Sequence, residues 1–333
     1  MNWHPCRSPI LILLTLALVF STGLVLMTWS ASATKGAYLG ANGKIAFSES
    51  DMIFIVNEDG TNMRQLTDGP EYDINPCWSP DGTKIAFGRA IQGFADSTIW
   101  VMNSDGSGLR QLTSGGYQTA PAWSPDGTKI MFHKEGGGNE GIYVIGANGP
   151  VGPGSLLVAN GLGPSWSPDG SKIAFYSSGN IYLANAQTGS VIGGALAAGS
   201  NPCWSPDGTK ITYDGQGGIW VMNADGSNKK QLTSPTGGLA DGEPNWSPDG
   251  TKIIFQRIPD SIWAMNSDGS GSHDLTPSKP NARAPDYQTI PSKPVGGSVM
   301  PTNKLEVLTP YLALAGLVIA VSAAAVVRRR HED

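Results

Sequence analysis

From residue 41 onward the chain alternates short apolar runs with tight polar punctuation. Runs such as Lys44-Ile45-Ala46-Phe47, Ile53-Phe54-Ile55-Val56 and Ile99-Trp100-Val101-Met102 are rich in β-branched and aromatic residues and are bounded by Asp-Gly or Pro-Asp-Gly. Such spacing predicts short antiparallel strands joined by tight turns, not helices. In these turns Pro presets one φ angle, Asp caps the turn with its side chain and Gly takes the positive-φ position.

The punctuation is periodic. The pentapeptide Trp-Ser-Pro-Asp-Gly begins at Trp78, Trp123, Trp166, Trp204 and Trp246, with spacings of 45, 43, 38 and 42 residues. Each is followed by Lys-Ile-x-aromatic, and most repeats continue into a strand like Ile219-Trp220-Val221-Met222-Asn223, an Asp-Gly turn and Gln-Leu-Thr. Periods of roughly 40–45 residues mark four-stranded propeller blades, each unable to bury both faces until it stacks on a neighbour. The recurrent Trp suits the wedge between blades, and generic core packing explains it equally well. A sixth unit, Lys44 to Thr67, lacks its own first strand, and Pro285-Asp286-Tyr287 echoes Pro76-Cys77-Trp78 at the far end. The expected fold is therefore an all-β, six-bladed β-propeller over 41–291, closed by pairing of the C-terminal strand with the N-terminal blade. Closure removes the open sheet edges that template aggregation.

The unit Pro-x-Trp-Ser-Pro-Asp-Gly-x-Lys-Ile-x-Phe resembles the WD-like propeller repeat of the TolB-like family. That resemblance covers about three quarters of the chain and implies a six-bladed ring of the kind found in secreted or periplasmic proteins and in the propeller domains of some peptidases. The chain departs from it in two ways. It has no counterpart of the separate N-terminal domain of TolB or of a peptidase domain. The segments Ser155 to Ala159 and Gly194 to Ala198 have lost Gln-Leu-Thr.

Both ends read as membrane signals. Arg7, the apolar run Ile10 to Phe20 and Ala31-Ser32-Ala33 form a secretory signal over 1–33. Retention as an anchor is the alternative, because apolar residues resume at Leu24 to Met27. Residues 305–327 are expected to form a membrane helix, uncharged from Val307 to Val327 and followed by Arg328-Arg329-Arg330. At 1.5 Å per residue such a helix crosses a bilayer core of roughly 30 Å, and the arginines stay cytoplasmic. The Pro/Gly/Ser-rich linker 292–304 suits an extended tether, and 328–333 make a cytoplasmic basic tail. The stretch from Val295-Gly296-Gly297 to the arginines resembles C-terminal anchors of archaeal surface proteins. The expected location is the cell membrane, single-pass, with the propeller outside.

Composition narrows the chemistry. A net charge of −5 argues against nucleic acid, which needs clustered Lys and Arg. Four histidines, two of them at His4 and His331, disfavour a histidine-based catalytic centre, and no metal or cofactor is expected. Asn57-x-Asp59-Gly60 and Asn103-x-Asp105-Gly106 superficially resemble calcium loops but lack the further oxygen ligands. Gly136-Gly137-Gly138 has no Lys-Ser/Thr after it and is not a phosphate cradle. A serine hydrolase would need a nucleophile elbow that the propeller lacks, leaving His133, at a loop start, as the best single enzyme clue. Cys6 leaves with the signal. Cys77 and Cys203 occupy the same repeat position three units apart, too far for a disulfide, so two free buried thiols are expected.

The Pro-Asp-Gly and Asp-Gly turns define one face of the ring and repeat closely. The opposite loops, placed at Asp68 to Ile74, Gly88 to Ser97, Gly115 to Thr119, His133 to Glu140, Asp214 to Gly217, Ser234 to Glu243 and Gln256 to Asp260, vary in length and chemistry. Function favours variable loops on a rigid frame. Candidate ligand-binding residues are Glu71, Tyr72, Asp73, Arg89, Asp96, Tyr117, His133, Glu135, Asp241, Glu243 and Arg257, with Phe94, Glu140, Asp260 and Lys134 beside them. This acidic, aromatic set suits a basic peptide segment, a sugar or a cation, and ordinary solvated loops account for it equally well. The expected function is a non-catalytic surface module binding a protein or glycan. The alternative is an extracellular hydrolase or lyase using channel-mouth carboxylates, for which paired acids about 5–10 Å apart would be the signature.

Overall fold

The computed structural model describes residues 40–291 apart from 91–95, 137, 259–260, 278 and 280. The expected signal segment, linker, membrane helix and tail, together with Phe94 and Asp260, lie outside the described residues. Among the described residues no helix is long and apolar enough to cross a membrane.

The fold is all-β and propeller-like. The described residues form 24 strands that meander in consecutive four-stranded units. The first unit holds β1 (Ala41–Glu49), β2 (Met52–Val56) and β3 (Arg64–Gln65). The second holds β4 (Tyr72–Trp78), β5 (Lys84–Ala90), β6 (Ser97–Asn103) and β7 (Arg110–Gln111). In the third are β8 (Tyr117–Trp123), β9 (Lys129–Glu135), β10 (Gly141–Gly146) and β11 (Ser155–Ala159). Next come β12 (Leu162–Trp166), β13 (Lys172–Ser177), β14 (Asn180–Asn185) and β15 (Val191–Ala198). The fifth unit comprises β16 (Ser200–Trp204), β17 (Lys210–Gly215), β18 (Gly218–Asn223) and β19 (Lys230–Gln231). The last contains β20 (Ala240–Trp246), β21 (Lys252–Ile258), β22 (Ser261–Asn266) and β23 (His273–Asp274). A single parallel pair, Ser97 with Tyr117, joins the second and third units into one eight-stranded sheet.

The final strand, β24 (Arg283–Ile290), completes the first unit by pairing antiparallel with β1, Ile45 opposite Tyr287 and Ala41 opposite Ile290. Side chains reinforce the join. Gln288 accepts the Lys44 N–H at 3.1 Å and donates to the Gly82 carbonyl at 2.8 Å. At Gly82 a Cβ would lie 2.2 Å from the Thr289 carbonyl oxygen, so only glycine lets β24 approach this turn.

The pentapeptide works as a local hydrogen-bond unit. Ser79 donates to Asp81 at 2.6 Å and accepts the Lys84 N–H at 2.9 Å, while Gly82 N–H bonds the Ser79 carbonyl at 2.8 Å. The same bonds recur around Ser124, Ser167, Ser205 and Ser247. In the Asp-Gly hairpins Asp59, Asp105, Asp225 and Asp268 likewise cap their own turns. That accounts for the residues resembling calcium loops.

Apolar clusters lie between successive units, from Ile53 and Ile55 against Trp78 and Phe87 to Ile219 against Trp246 and Phe255. A further cluster sets Ile45, Phe47 and Tyr287 of the first unit against Ile254 and Ile262 of the last.

The outer strands come in two forms. In four units the Thr that closes Gln-Leu-Thr or Asp-Leu-Thr supplies its hydroxyl to a backbone N–H of the neighbouring strand: Thr67 to Ile53, Thr113 to Ile99, Thr233 to Ile219 and Thr276 to Ile262, at 2.7–2.9 Å. A side chain thereby replaces a backbone partner, and β3, β7, β19 and β23 need only two residues each. Where that Thr is missing the backbone continues instead, pairing Ile142 with Val158 and Ile181 with Ala197.

Candidate functional site

The innermost strands β4, β8, β12, β16, β20 and β24 surround a cavity of about 350 Å³. Three residues before each inner aromatic the register breaks, and the bulged residue turns left-handed: Asn75, Ala120, Gly163, Asn201, Glu243 and Ala284 have φ of 46–53°. All six line the cavity. Asn and Gly tolerate this conformation, whereas Glu243 holds it against a steric cost. The middle residues of Pro-x-aromatic line it as well: Cys77, Ala122, Ser165, Cys203, Asn245 and Asp286.

Three acids concentrate on one side. Asp214, on β17, accepts from Asn201 Nδ2 at 2.6 Å and from the Glu243 N–H at 2.8 Å. Glu243 in turn accepts the Ala284 N–H at 2.7 Å. Asp286 bridges its two neighbours, accepting the Trp78 N–H at 2.6 Å and Asn245 Nδ2 at 2.7 Å. Burial raises all three carboxyls. Asp214 is pushed up to about 7, with the Glu243 charge adding to its burial, and burial pushes Asp286 up to about 7. For Glu243 the Ala284 N–H and the Arg283 charge oppose the rise. Cys77 and Cys203 are free. Burial pushes the Cys203 thiol up to about 12 and raises Cys77 well above the usual thiol range, Asp286 adding to the effect.

The residues expected in loops are largely in strands. Tyr72 and Asp73 belong to β4, Arg89 to β5, Tyr117 to β8, His133 and Glu135 to β9, Asp241 and Glu243 to β20 and Arg257 to β21. The expected loop boundaries were thus too wide, because the strands run on toward the loop face. Asp73 and Arg89 form a two-pronged ion pair at 2.6 and 2.7 Å, and Asp241 and Arg257 repeat it at 2.7 and 2.9 Å. Each guanidinium also sits over aromatic rings, Arg257 4.0 Å from the Trp263 centroid and Arg89 5.2 Å from that of Trp100. These four residues are partnered within their own sheets.

His133 is buried inside β9 and not at a loop start, and burial lowers its pKa against the pull of Glu135 and Glu140. Glu135 and Asp96 are exposed, while Glu71, Tyr72 and Tyr117 are half-buried. Of the expected site residues only Glu243 lines the cavity. Asp286 was missed as a site residue, although its unique charge among the six Pro-x-aromatic positions marks it.

The raised carboxyls predict a pH dependence. Unfolded, each titrates near 4. Folded, Asp214 and Asp286 titrate near 7, so between these values the native state binds more protons. Their stabilising contribution is full below about pH 4 and is lost as the pH rises toward 7. The turn aspartates are depressed, so their effect falls below pH 4. His133 acts in the opposite sense, since its folded value lies below the unfolded one. The contrast between wild type and Asp286→Asn cancels the His133 contribution. The wild type is expected to melt roughly 5 °C lower at pH 8 than at pH 5, and the variant to show a clearly smaller drop. Equal drops in thermal melts would mean that Asp286 does not titrate in this range.

Residues 158–289 match the family described as the TolB beta propeller domain (PD40). A curated protein, the TolB homolog of Chlorobium luteolum, is 41% identical over 51 residues, which is 14% of this chain and 12% of that protein. Among solved structures, TolB from Acinetobacter baumannii superposes with a TM-score of 0.63 at 20% identity, covering 79% of this chain and 70% of that one. A putative TolB from Agrobacterium tumefaciens gives 0.54 at 23% identity, over 71% of this chain and 89% of its own. A chain of the nidogen/laminin complex gives 0.61 at 11% identity, over 74% of this chain and 98% of its own. At these identities the solved structures establish the fold, an all-β propeller.

Proposed function

We propose that the chain is a non-catalytic binding module: a six-bladed ring, carried outside the cell by its signal and C-terminal helix, that takes a basic protein segment or a glycan at the cavity, beside Glu243. The carrying observation is Glu243, held left-handed at the rim beside the buried Asp214. A strained acid that its own Ala284 N–H only partly satisfies is a ready partner for an incoming ammonium or guanidinium group. The likeness to TolB propellers supports this reading at the level of the fold.

A short Lys/Arg peptide titrated into the full-length protein should bind in a salt-sensitive manner. Glu243→Gln should weaken that binding about tenfold, the worth of one charge-assisted contact. Unchanged affinity in Glu243→Gln would count against the rim.

One observation favours a second reading, an extracellular hydrolase or lyase. Asp214, pushed up to about 7 by burial beside the Glu243 carboxyl, holds a proton near neutral pH as a general acid must. Polymer cleavage that is lost in Asp214→Asn would establish it in place of simple binding.

A further inference from the structure

The crevices between neighbouring units are not alike. Between the fifth and last units, beside the outer strands β19 and β23, lies a groove of about 380 Å³ that shares no residue with the central cavity. Trp263 and Arg257 form one wall, the guanidinium 4.0 Å from the indole centroid. Ser234, Thr236 and Leu239 come from the loop after β19 and Ser272 from just before β23, and all four are exposed.

The repeats show how this space arises. The residue just before each two-residue outer strand is Met63, Leu109 and Lys229 in the first, second and fifth units, and Ser272 in the last. Met63 packs into the crevice between the last and first units. At the corresponding place in the last unit a long side chain has given way to a hydroxymethyl group.

Charge differs as well. Arg89 is the counterpart of Arg257 in the crevice between the first and second units, with the same two-pronged aspartate. There Asp73 holds the guanidinium first, and Glu71 and Asp68 of the adjoining loop add their charge. The loop beside Arg257 reads Ser234-Pro235-Thr236-Gly237-Gly238-Leu239 and carries no charge. Among the described residues lining the groove none is acidic. Asp241 takes Arg257 through Nε and Nη2, which fixes the guanidinium and leaves Nη1 outside the pair.

We propose that this groove is a second binding site, apart from the central cavity, and that it takes an acidic sugar: a pyranose bearing a carboxylate. The volume is that of a small-ligand pocket. A carboxylate is the natural partner of a fixed guanidinium. Sugar hydroxyls both donate and accept hydrogen bonds, as the hydroxyls of Ser234, Thr236 and Ser272 do. Trp263 and Leu239 supply apolar area for the C–H face of the ring. A bare inorganic anion would leave that apolar area unused, and a basic segment would meet Arg257 with no acid in the lining to receive it.

The test titrates the purified full chain, in mild detergent, with a glucuronate-containing tetrasaccharide and with its carboxyl-reduced, neutral counterpart. The acidic sugar should bind about tenfold more tightly, the worth of one charge-assisted contact. Ser272→Leu restores the side chain that the second unit has at Leu109, and should weaken binding about tenfold while the thermal melt stays in place. Ser234→Asp puts an acid where the other crevice has Asp68. It should weaken the acidic sugar about fivefold and leave the neutral one unchanged. Glu243→Gln, at the central cavity, should alter neither. No binding of the acidic sugar, equal affinity for the two sugars, binding that survives Ser272→Leu, or loss in Glu243→Gln would each overturn the proposal. So would a tetraglutamate peptide that binds as tightly as the acidic sugar.

Discussion

Deleting residues 283–291 is expected to leave a chain that no longer unfolds as one cooperative unit. β24 contributes the strand opposite β1, the Gln288 bonds to Lys44 and Gly82, and Tyr287, which is buried among side chains of the first and last units. Without it Asp286 also leaves, freeing the Trp78 N–H and the Asn245 amide it accepts. The milder Tyr287→Ala should cost about 3–5 kcal/mol, the usual price of removing a large buried aromatic. Urea unfolding followed by tryptophan fluorescence reads both. A deletion variant with an unchanged midpoint and slope would show that the first and last units hold together without this strand.

Replacing Asp241 with alanine is expected to destabilise the protein by about 3–5 kcal/mol, because it strands a half-buried guanidinium among aromatic rings. Asp241 is buried, and both of its oxygens are taken by Arg257. Arg257 lies over Phe255 and Trp263, 5.5 and 4.0 Å from their centroids, so it has no easy route to another partner. Replacing Asp241 and Arg257 together by apolar residues of similar size should recover most of the loss, since a buried pair removed whole leaves no orphan charge. Asp73→Ala in the second unit should behave alike, its partner Arg89 being held in the same way. If Asp241→Ala melted like the wild type but lost peptide binding, these residues would belong to a ligand site and not to the framework.

The framework was legible in the sequence because its parts are local. Trp-Ser-Pro-Asp-Gly encodes a complete turn within five residues, and the echo of Pro76-Cys77-Trp78 in Pro285-Asp286-Tyr287 located the strand that pairs with β1. The site was less legible, for two physical reasons. Strand ends do not announce themselves: Asp73 and Arg89 read as loop residues, yet the ladder continues through them and pairs them across it. The rim is set by backbone conformation, and Ala120, Glu243 and Ala284 are not residues from which a left-handed φ is inferred. Stacking the six Pro-x-aromatic segments would have exposed the position through Asn75, Gly163 and Asn201, which favour that conformation. Asp214 carried no signal, because only folding brings it against the Glu243 N–H.

The left-handed bulges have a consequence for how this protein can diversify. Each inner strand presents one residue to the cavity from a bulge that interrupts its pairing, so exchanging that residue leaves the ladder on either side in place. The mouth can then be recomposed one substitution at a time, and the present set of two Asn, two Ala, one Gly and one Glu is nearly featureless apart from its single acid. Relatives with identical frames can accordingly differ in what they recognise through as few as six scattered codons.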